Sequence, residues 1–245
     1  MRRNARKFVV AGIVLVGVLL TLTFGVLRMA TSPPDYYSEI IAAEAETDVE
    51  KRHEQAKELV GDVVQMRNDI ANDPEWTIRL TDKAINAWLA ENSLADLIED
   101  FPADLTQPRI QFGAERLNLA FRWNGPPVAA VISVSLRPEC AEPNQLRIGV
   151  ENLRVGMLPL YGQRFQQEVV DALKNAGIDA RWEVKDELPT LCLSIAPTLQ
   201  SRSVELQRIV VLDGEIRING RSRADVNVER LGKEIRESGR IRFVR

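Results

Sequence analysis

The sequence predicts an α+β fold, and three observations lead to this class. Between residues 110 and 228, apolar and polar side chains alternate with a period of two, which is typical of antiparallel strands with one buried face. Apolar residues at helical spacing occur before this region and once within it. Helices and strands do not alternate one by one, so a parallel α/β sheet is not expected.

An uncharged segment precedes the predicted fold. Residues 8–27 read FVVAGIVLVGVLLTLTFGVL and contain no charged side chain. A helix of about 20 residues spans a hydrocarbon core of about 30 Å, so we predict a single transmembrane helix here. We expect it to be retained as a signal-anchor. A cleaved signal peptide has a shorter apolar run and a small residue at the −3 position, where Arg28 would stand for a cut after Ala30.

Basic residues predict the orientation of this anchor. Arg2, Arg3, Arg6 and Lys7 precede the apolar segment, whereas Arg28 alone follows it directly. The positive-inside bias therefore places residues 1–7 in the cytoplasm and sends the remainder across the membrane. The predicted location is the inner (cytoplasmic) membrane of a bacterial-type cell envelope, with the folded domain extracytoplasmic.

A long amphipathic helix is predicted over residues 36–73, after a linker of residues 28–35 that contains Pro33 and Pro34. Its seam positions recur every seven residues and leave two alternatives. One is a coiled-coil stalk that forms a homodimer, and the other is a helix packed on its own domain. Small and charged seam residues favour the second. The seam residues are Ala42, Ala45, Val49, Arg52, Ala56, Leu59, Val63, Met66 and Ile70.

Residues 74–228 are predicted to form a curved antiparallel sheet with two shorter helices. Thr81 is the expected N-cap of the first helix, which carries Trp88 on its apolar side, and residues 163–176 form the second. The strand alternation changes phase near Glu151, which predicts a β-bulge. Six apolar residues are expected on one face of the sheet: Leu119, Phe121, Ile132, Val134, Ile148 and Val150.

That apolar face allows two interpretations. Helices that cover it completely would produce an ordinary core, whereas partial cover would leave an elongated groove able to accept acyl chains. Tight turns are expected at Asp213-Gly214 and Asn219-Gly220. Residues 229–245 form a basic C-terminal tail.

The sequence contains no pattern that predicts catalysis or a cofactor. Phosphate-binding glycine loops, nucleophile elbows and zinc-protease motifs are absent, and His53 is the only histidine. We therefore expect no enzyme activity, cofactor or metal site. The net charge of −3 with basic residues concentrated around the anchor argues against a nucleic-acid partner. Cys140 and Cys192 either form a disulfide or remain separate thiols.

Two short motifs resemble a known group of domains. Residues 80–89 (LTDKAINAWL) and 155–160 (VGMLPL) resemble segments of small bacterial membrane-anchored or lipoprotein domains of the YpmS and YceB kind. Those families are similar to the tubular lipid-binding (TULIP-like) superfamily, in which a curved sheet wraps a long helix around a hydrophobic groove. The resemblance implies no catalytic residues.

The motif match points to structural roles at four positions. Thr81 begins a helix, and Asn86 is expected to bond a nearby backbone group. Gly156 would permit a close approach of another segment, and Pro159 would end a strand.

Two functions remain as hypotheses. The first is a membrane-anchored, non-enzymatic domain that binds lipid or another apolar ligand in the groove. The alternative is an envelope scaffold or assembly protein that acts through protein–protein contacts.

Overall fold

A computed structural model describes residues 21–94, 101–126, 128–160, 163–175, 178–195, 198–199 and 202–224. The helices are α1 (residues 21–31), α2 (Asp35–Glu46), α3 (Val49–Asn72), α4 (Asp82–Glu91) and α5 (Gln163–Asn175). The strands are β1 (Glu75–Thr81), β2 (Leu105–Gly113), β3 (Arg116–Trp123), β4 (Ala130–Glu142), β5 (Gln145–Val155), β6 (Leu158–Pro159), β7 (Asp179–Lys185), β8 (Leu188–Ser194), β9 (Thr198–Leu199), β10 (Arg202–Leu212) and β11 (Glu215–Ala224). The predicted α+β class is confirmed.

The termini lie mostly outside this description. Residues 8–20 of the predicted span and the whole of the 229–245 tail are not among the described residues. No helix within the described residues has both the length and the apolar character needed to cross a membrane.

The strands form two antiparallel sheets, where the sequence predicted one. The seven-stranded sheet runs β2-β3-β4-β5-β8-β7, with β6 paired to β5. The four-stranded sheet runs β1-β11-β10-β9. Strand β1 precedes the large sheet in the chain but pairs with β11, which brings Glu75 opposite Arg221. Local periodicity does not reveal such a distant partner, which is why a single sheet was expected.

The predicted bulge is confirmed at Glu151. Ser135 pairs with Asn152 and Leu136 pairs with Val150, so Glu151 is the extra residue of β5. Its carboxylate accepts hydrogen bonds from Arg116 Nε at 2.7 Å and Arg137 Nη2 at 2.6 Å. The bulge restores the phase of β5, because apolar residues on both sides of it remain on the same face of the sheet.

The expected long helix is in fact two helices, α2 and α3. The break falls at Thr47 and Asp48, and the Asp48 carboxylate accepts a hydrogen bond from the Glu50 amide at 2.8 Å. This is an ordinary N-cap, and it starts a new helix where a continuous one was expected. Helix α3 packs on the small sheet, where its Met66 and Ile70 contact a buried cluster that includes Trp76. Helix α3 therefore packs on its own domain, and a homodimer formed through it stays a prediction.

The two predicted tight turns have different outcomes. Asp213-Gly214 joins β10 to β11 as predicted, with Gly214 at φ +75°. Asn219-Gly220 lies inside β11, opposite Thr77 and Trp76, so the prediction of a turn there was wrong. A Cβ atom on Gly220 would lie 2.1 Å from the Trp76 ring. Glycine is needed at this position because the indole lies across the strand.

Asn144, at the tip of the β4–β5 hairpin, connects the two sheets. Its backbone N–H donates to the Leu206 carbonyl at 2.9 Å, and its side-chain Oδ1 accepts from the Leu206 N–H at 2.7 Å. Its Nδ2 donates to the Val204 carbonyl at 3.3 Å, and its own carbonyl accepts from the Ile195 N–H at 2.9 Å. Asn144 adopts the left-handed conformation, with φ +63°. The contact lies beside a register shift in β10 between Leu206 and Arg208.

We predict that removing the Asn144 side chain destabilises the fold. Asn144→Gly keeps the left-handed backbone accessible but leaves the Leu206 N–H and the Val204 carbonyl without these bonds, which costs about 1–3 kcal/mol. Asn144→Ala should cost about 1 kcal/mol more because of its φ angle. Chemical denaturation of the purified chain measures both. Asn68→Ala, on an exposed site of α3, is the control and should stay within about 0.5 kcal/mol of wild type. Equal denaturation midpoints for Asn144→Gly, Asn144→Ala and Asn68→Ala would contradict a stabilising role of the Asn144 side chain.

Candidate apolar binding site

The six predicted face residues all lie on one face of the seven-stranded sheet, here called the apolar face. Leu119 pairs with Val134, and Phe121 pairs with Ile132. Leu136 pairs with Val150, and Pro138 pairs with Ile148. Directly opposite residues share a face, and the six alternate in step along their strands. All six are half-buried.

Different elements cover the two ends of the apolar face. At one end, α5 packs over β7 and β8, and Val170, Leu191 and Leu193 form a buried cluster. At the other end, the small sheet covers β2 and β3, and Phe112, Val211 and Ile216 form a second cluster. Each end is therefore an ordinary core.

Ile148 belongs to the covered end, because it packs against the cluster beneath α5. Its assignment to an open groove was wrong, since helix α5 occupies that position. Leu119, Phe121, Ile132 and Val134 belong to none of the buried clusters found among the described residues. They form the half-buried middle of the face.

Two further residues extend this middle section across the bulge. Val155 pairs with Ile132, and Leu153 pairs with Val134. Both are half-buried, and neither was among the predicted groove residues. The phase change near Glu151 was the signal that could have identified them. We call Leu119, Phe121, Ile132, Val134, Leu153 and Val155 the open strip.

Part of the open strip has an aromatic neighbour. The ring of Phe101, in the segment before β2, lies 6.2 Å from the ring of Phe121 between centroids, at an interplanar angle of 46°. Such tilted aromatic contacts are favourable beyond their buried area. The Phe101 ring therefore packs against one side of the Phe121 ring, at the edge of the strip.

A cavity of about 610 Å³ adjoins the strip at β5. Six apolar side chains line it: Val150, Leu153, Met157, Leu160, Trp182 and Leu188. The polar residues of the lining are Glu151, Asn152, Arg154, Gln166 and Glu187. The Trp182 indole N–H donates to the Gln166 carbonyl at 2.7 Å, which fixes the ring and satisfies its polar atom. Ligand pockets typically enclose about 300–1,000 Å³, with mostly apolar linings and few polar groups.

The 80–89 motif places α4 along the edge strand β2. Thr81 caps the helix, with its hydroxyl accepting from the Ala84 N–H at 3.2 Å. Asn86 is buried and bonds both backbone groups of Ile110, at 2.7 and 2.9 Å. Asp82 accepts from the Phe112 N–H at 3.2 Å, while burial raises the pKa of its carboxyl group. These bonds satisfy an edge that would otherwise be open.

Trp88 is half-buried on the same helix, and its carbonyl accepts from the Asn92 N–H. These motif positions therefore have structural roles, as the resemblance implied for Thr81 and Asn86. None of them reaches the open strip or the adjoining cavity.

The 155–160 motif forms the turn between β5 and β6. Gly156 has φ +57°, and a Cβ atom there would lie 2.3 Å from the Ala30 carbonyl oxygen. The expected close approach therefore occurs, and the other segment is the end of α1. Pro159 is the last residue of β6, pairing with Arg154, so it ends that short strand and not β5.

The two cysteines are free thiols, so the possible disulfide is not formed. Cys140 pairs with Leu146, which in turn pairs with Leu193, so β5 separates the two cysteine-bearing strands. Two strand spacings amount to about 10 Å. A disulfide needs Cα atoms within about 7 Å. Cys192 also points to the opposite face, because it pairs with Arg147. Burial raises the pKa of both thiols.

No cluster of three or more His, Cys, Asp or Glu side chains in the described part of the chain could hold a metal. His53 Nδ1 lies 3.0 Å from Glu91 Oε2 and links α3 to α4. The His53 side chain is exposed.

No protein-family model, curated protein or solved structure matches the chain. The resemblance to tubular lipid-binding domains therefore stays a prediction, and the geometry of the strip and cavity carries the functional argument.

We predict that the native chain has two free thiols. After unfolding without reductant, alkylation should add two labels per chain, whereas the folded chain should label slowly at the buried Cys192. Intact-mass spectrometry counts the labels. An unfolded chain that takes up no label until a reductant is added would show that the strands between the cysteines are arranged differently.

Proposed function

We propose that this chain is a non-enzymatic binding domain, tethered by its N-terminal segment to the outer side of the cytoplasmic membrane, which holds an apolar chain on its large sheet. One observation carries the proposal. The open strip is half-buried, lies outside the buried clusters of the described residues, and adjoins a cavity of about 610 Å³ at Leu153. An acyl chain of a lipid has the elongated, apolar shape that suits such a site.

Burial energetics support an apolar ligand. The strip and the apolar part of the cavity lining offer surface that a ligand could cover. Covering roughly 200 Å² of such surface contributes about 5 kcal/mol at 25 cal/mol per Å². A gain of about 5 kcal/mol corresponds to a Kd of roughly 0.2 mM. Part of this gain offsets the entropy lost by the ligand, so burial of this area alone predicts an affinity in the millimolar range.

The polar groups of the cavity support a ligand with a charged end. Arg154 is exposed and lies beside Met157 in the lining, with its Nη2 bonded to Asn152 Oδ1 at 3.2 Å. A guanidinium group binds phosphate or carboxylate oxygens with directional hydrogen bonds. The lining also contains the carboxylates of Glu151, which is paired with Arg116 and Arg137, and of Glu187. Arg154 is the cation of this lining that an anionic headgroup would approach.

We predict that Val150→Trp lowers lipid binding by filling the cavity without adding charge. The full-length chain, in membranes that contain a diazirine-labelled phospholipid, would be irradiated, digested and mapped by mass spectrometry. Peptides of β3, β4 and β5 should carry lipid in the wild-type chain and several-fold less in the variant. Val64→Trp, at an exposed site on α3, is the matched control and should not change the labelling. Labelled peptides from residues 8–27 alone would count against lipid binding by the domain.

The alternative function, an envelope scaffold or assembly protein, has its own supporting observation. Val60, Val63 and Val64 are exposed on α3. A second copy of the chain could bury this stripe.

If two chains associate through α3, light scattering of the purified chain should give twice the mass of one chain. Val64→Glu should reduce the measured mass to that of a single chain. A carboxylate in an apolar interface is strongly unfavourable. A monomer at concentrations of tens of micromolar would remove the support for self-assembly through α3.

A further inference from the structure

The turn between β5 and β6 lies directly against the end of α1. The Met157 N–H donates to the Met29 carbonyl at 2.9 Å, which satisfies one of the carbonyl groups left unpaired at a helix C-terminus. The Gly156 N–H donates to the Val131 carbonyl at 2.7 Å, which ties the same turn to β4. The helix end and the large sheet are therefore joined through hydrogen bonds to consecutive residues.

Glycine is required at this junction. A Cβ atom at position 156 would lie 2.3 Å from the Ala30 carbonyl oxygen and 2.4 Å from the Met29 carbonyl oxygen. Its φ of +57° is also unfavourable for other residues. Any side chain here would push the turn away from α1.

The position of the junction along the helix sets its depth relative to a bilayer. The predicted span ends at Leu27, and Met29 follows two residues later, which is about 3 Å along a helix axis. The headgroup layer on each side of the hydrocarbon core is about 5–7 Å thick. The β5–β6 turn therefore falls at the level of the headgroups if the span crosses the membrane.

Two exposed apolar side chains of the β5–β6 segment, Met157 in the turn and Leu160 directly after β6, suit the headgroup layer. Met157 is 57% exposed and Leu160 is 42% exposed, and both line the rim of the cavity. Burying an exposed apolar side chain of this size contributes about 1.5–3 kcal/mol. Arg28 and Arg154 are exposed near the turn, where lipid phosphates would neutralise them.

We propose that the β5–β6 segment inserts Met157 of its turn and Leu160, directly after β6, into the outer leaflet, so that the cavity opens at the bilayer surface and takes an acyl chain of a membrane phospholipid directly from it. This rests on the proposed function, because it assumes both the anchor and the lipid site. The partner is the lipid bilayer, and the ligand class is a phospholipid whose phosphate remains near Arg154.

Depth-dependent fluorescence quenching tests this docking. The full-length chain, with Cys140→Ser and Cys192→Ala, would carry a single bimane label at Met157→Cys in liposomes that contain phospholipid. Spin-labelled lipids with the label high on the acyl chain should quench the fluorophore strongly. Val64→Cys, equally exposed but on α3, is the matched site and should be quenched several-fold less.

A variant of Gly156 tests whether the contact between the turn and α1 is what places residue 157 in the leaflet. Gly156→Val should lower the quenching at residue 157 towards the level of residue 64, because the turn loses its contact with α1. Gly61→Val places the same side chain where nothing lies within 4 Å and should leave the quenching unchanged. Thermal unfolding followed by circular dichroism checks that both variants remain folded.

The two proposals fail separately. Equal quenching at residues 157 and 64, together with lipid crosslinks on β3 to β5, would overturn the docking and leave the proposed function standing. Strong quenching at residue 157 without those crosslinks would overturn the proposed function, and with it the route by which the lipid reaches the cavity.

Discussion

The hydrogen bonds made by Asn144 fix how the two sheets meet, and much of the remaining architecture depends on that junction. They hold the tip of the β4–β5 hairpin against β10, beside the irregular register at Leu206. The thiol of Cys140 adds a contact to the Leu206 carbonyl at 3.5 Å. The position of β10 determines how far the small sheet extends over the apolar face. It therefore also determines how much of that face remains for the open strip.

Local signals in the sequence were sufficient for the individual elements and for the face that each presents. Thr81 as an N-cap, the Asp213-Gly214 turn and the bulge at Glu151 each depend on neighbouring residues only. The period-two alternation likewise placed Leu119, Phe121, Ile132 and Val134 on one face. Alternation along a strand shows to which side of the sheet each side chain points. Residues that share a face can therefore be recognised from this pattern alone.

What local signals do not contain is the identity of distant partners. The pairing of β1 with β11 joins residues 75 and 221, and it changes one expected sheet into two. The cover over Ile148 comes from α5, and the ring over Gly220 comes from Trp76. Asp48 was a readable N-cap, but the heptad spacing on both sides favoured a continuous helix. The β1–β11 pairing, the cover over Ile148 and the ring over Gly220 depend on contacts that form only when the chain has folded.

Because β5 contains an extra residue, the number of residues in this strand determines which side chains lie on the apolar face. Without Glu151, every position from Asn152 onward would shift by one, and Leu153 and Val155 would turn to the opposite side of the sheet. Gly156 would no longer reach the end of α1 in its present orientation, and two arginines would lose their shared carboxylate. Natural variation in this strand should thus favour substitution over insertion or deletion, even at positions where the side chain itself is unimportant.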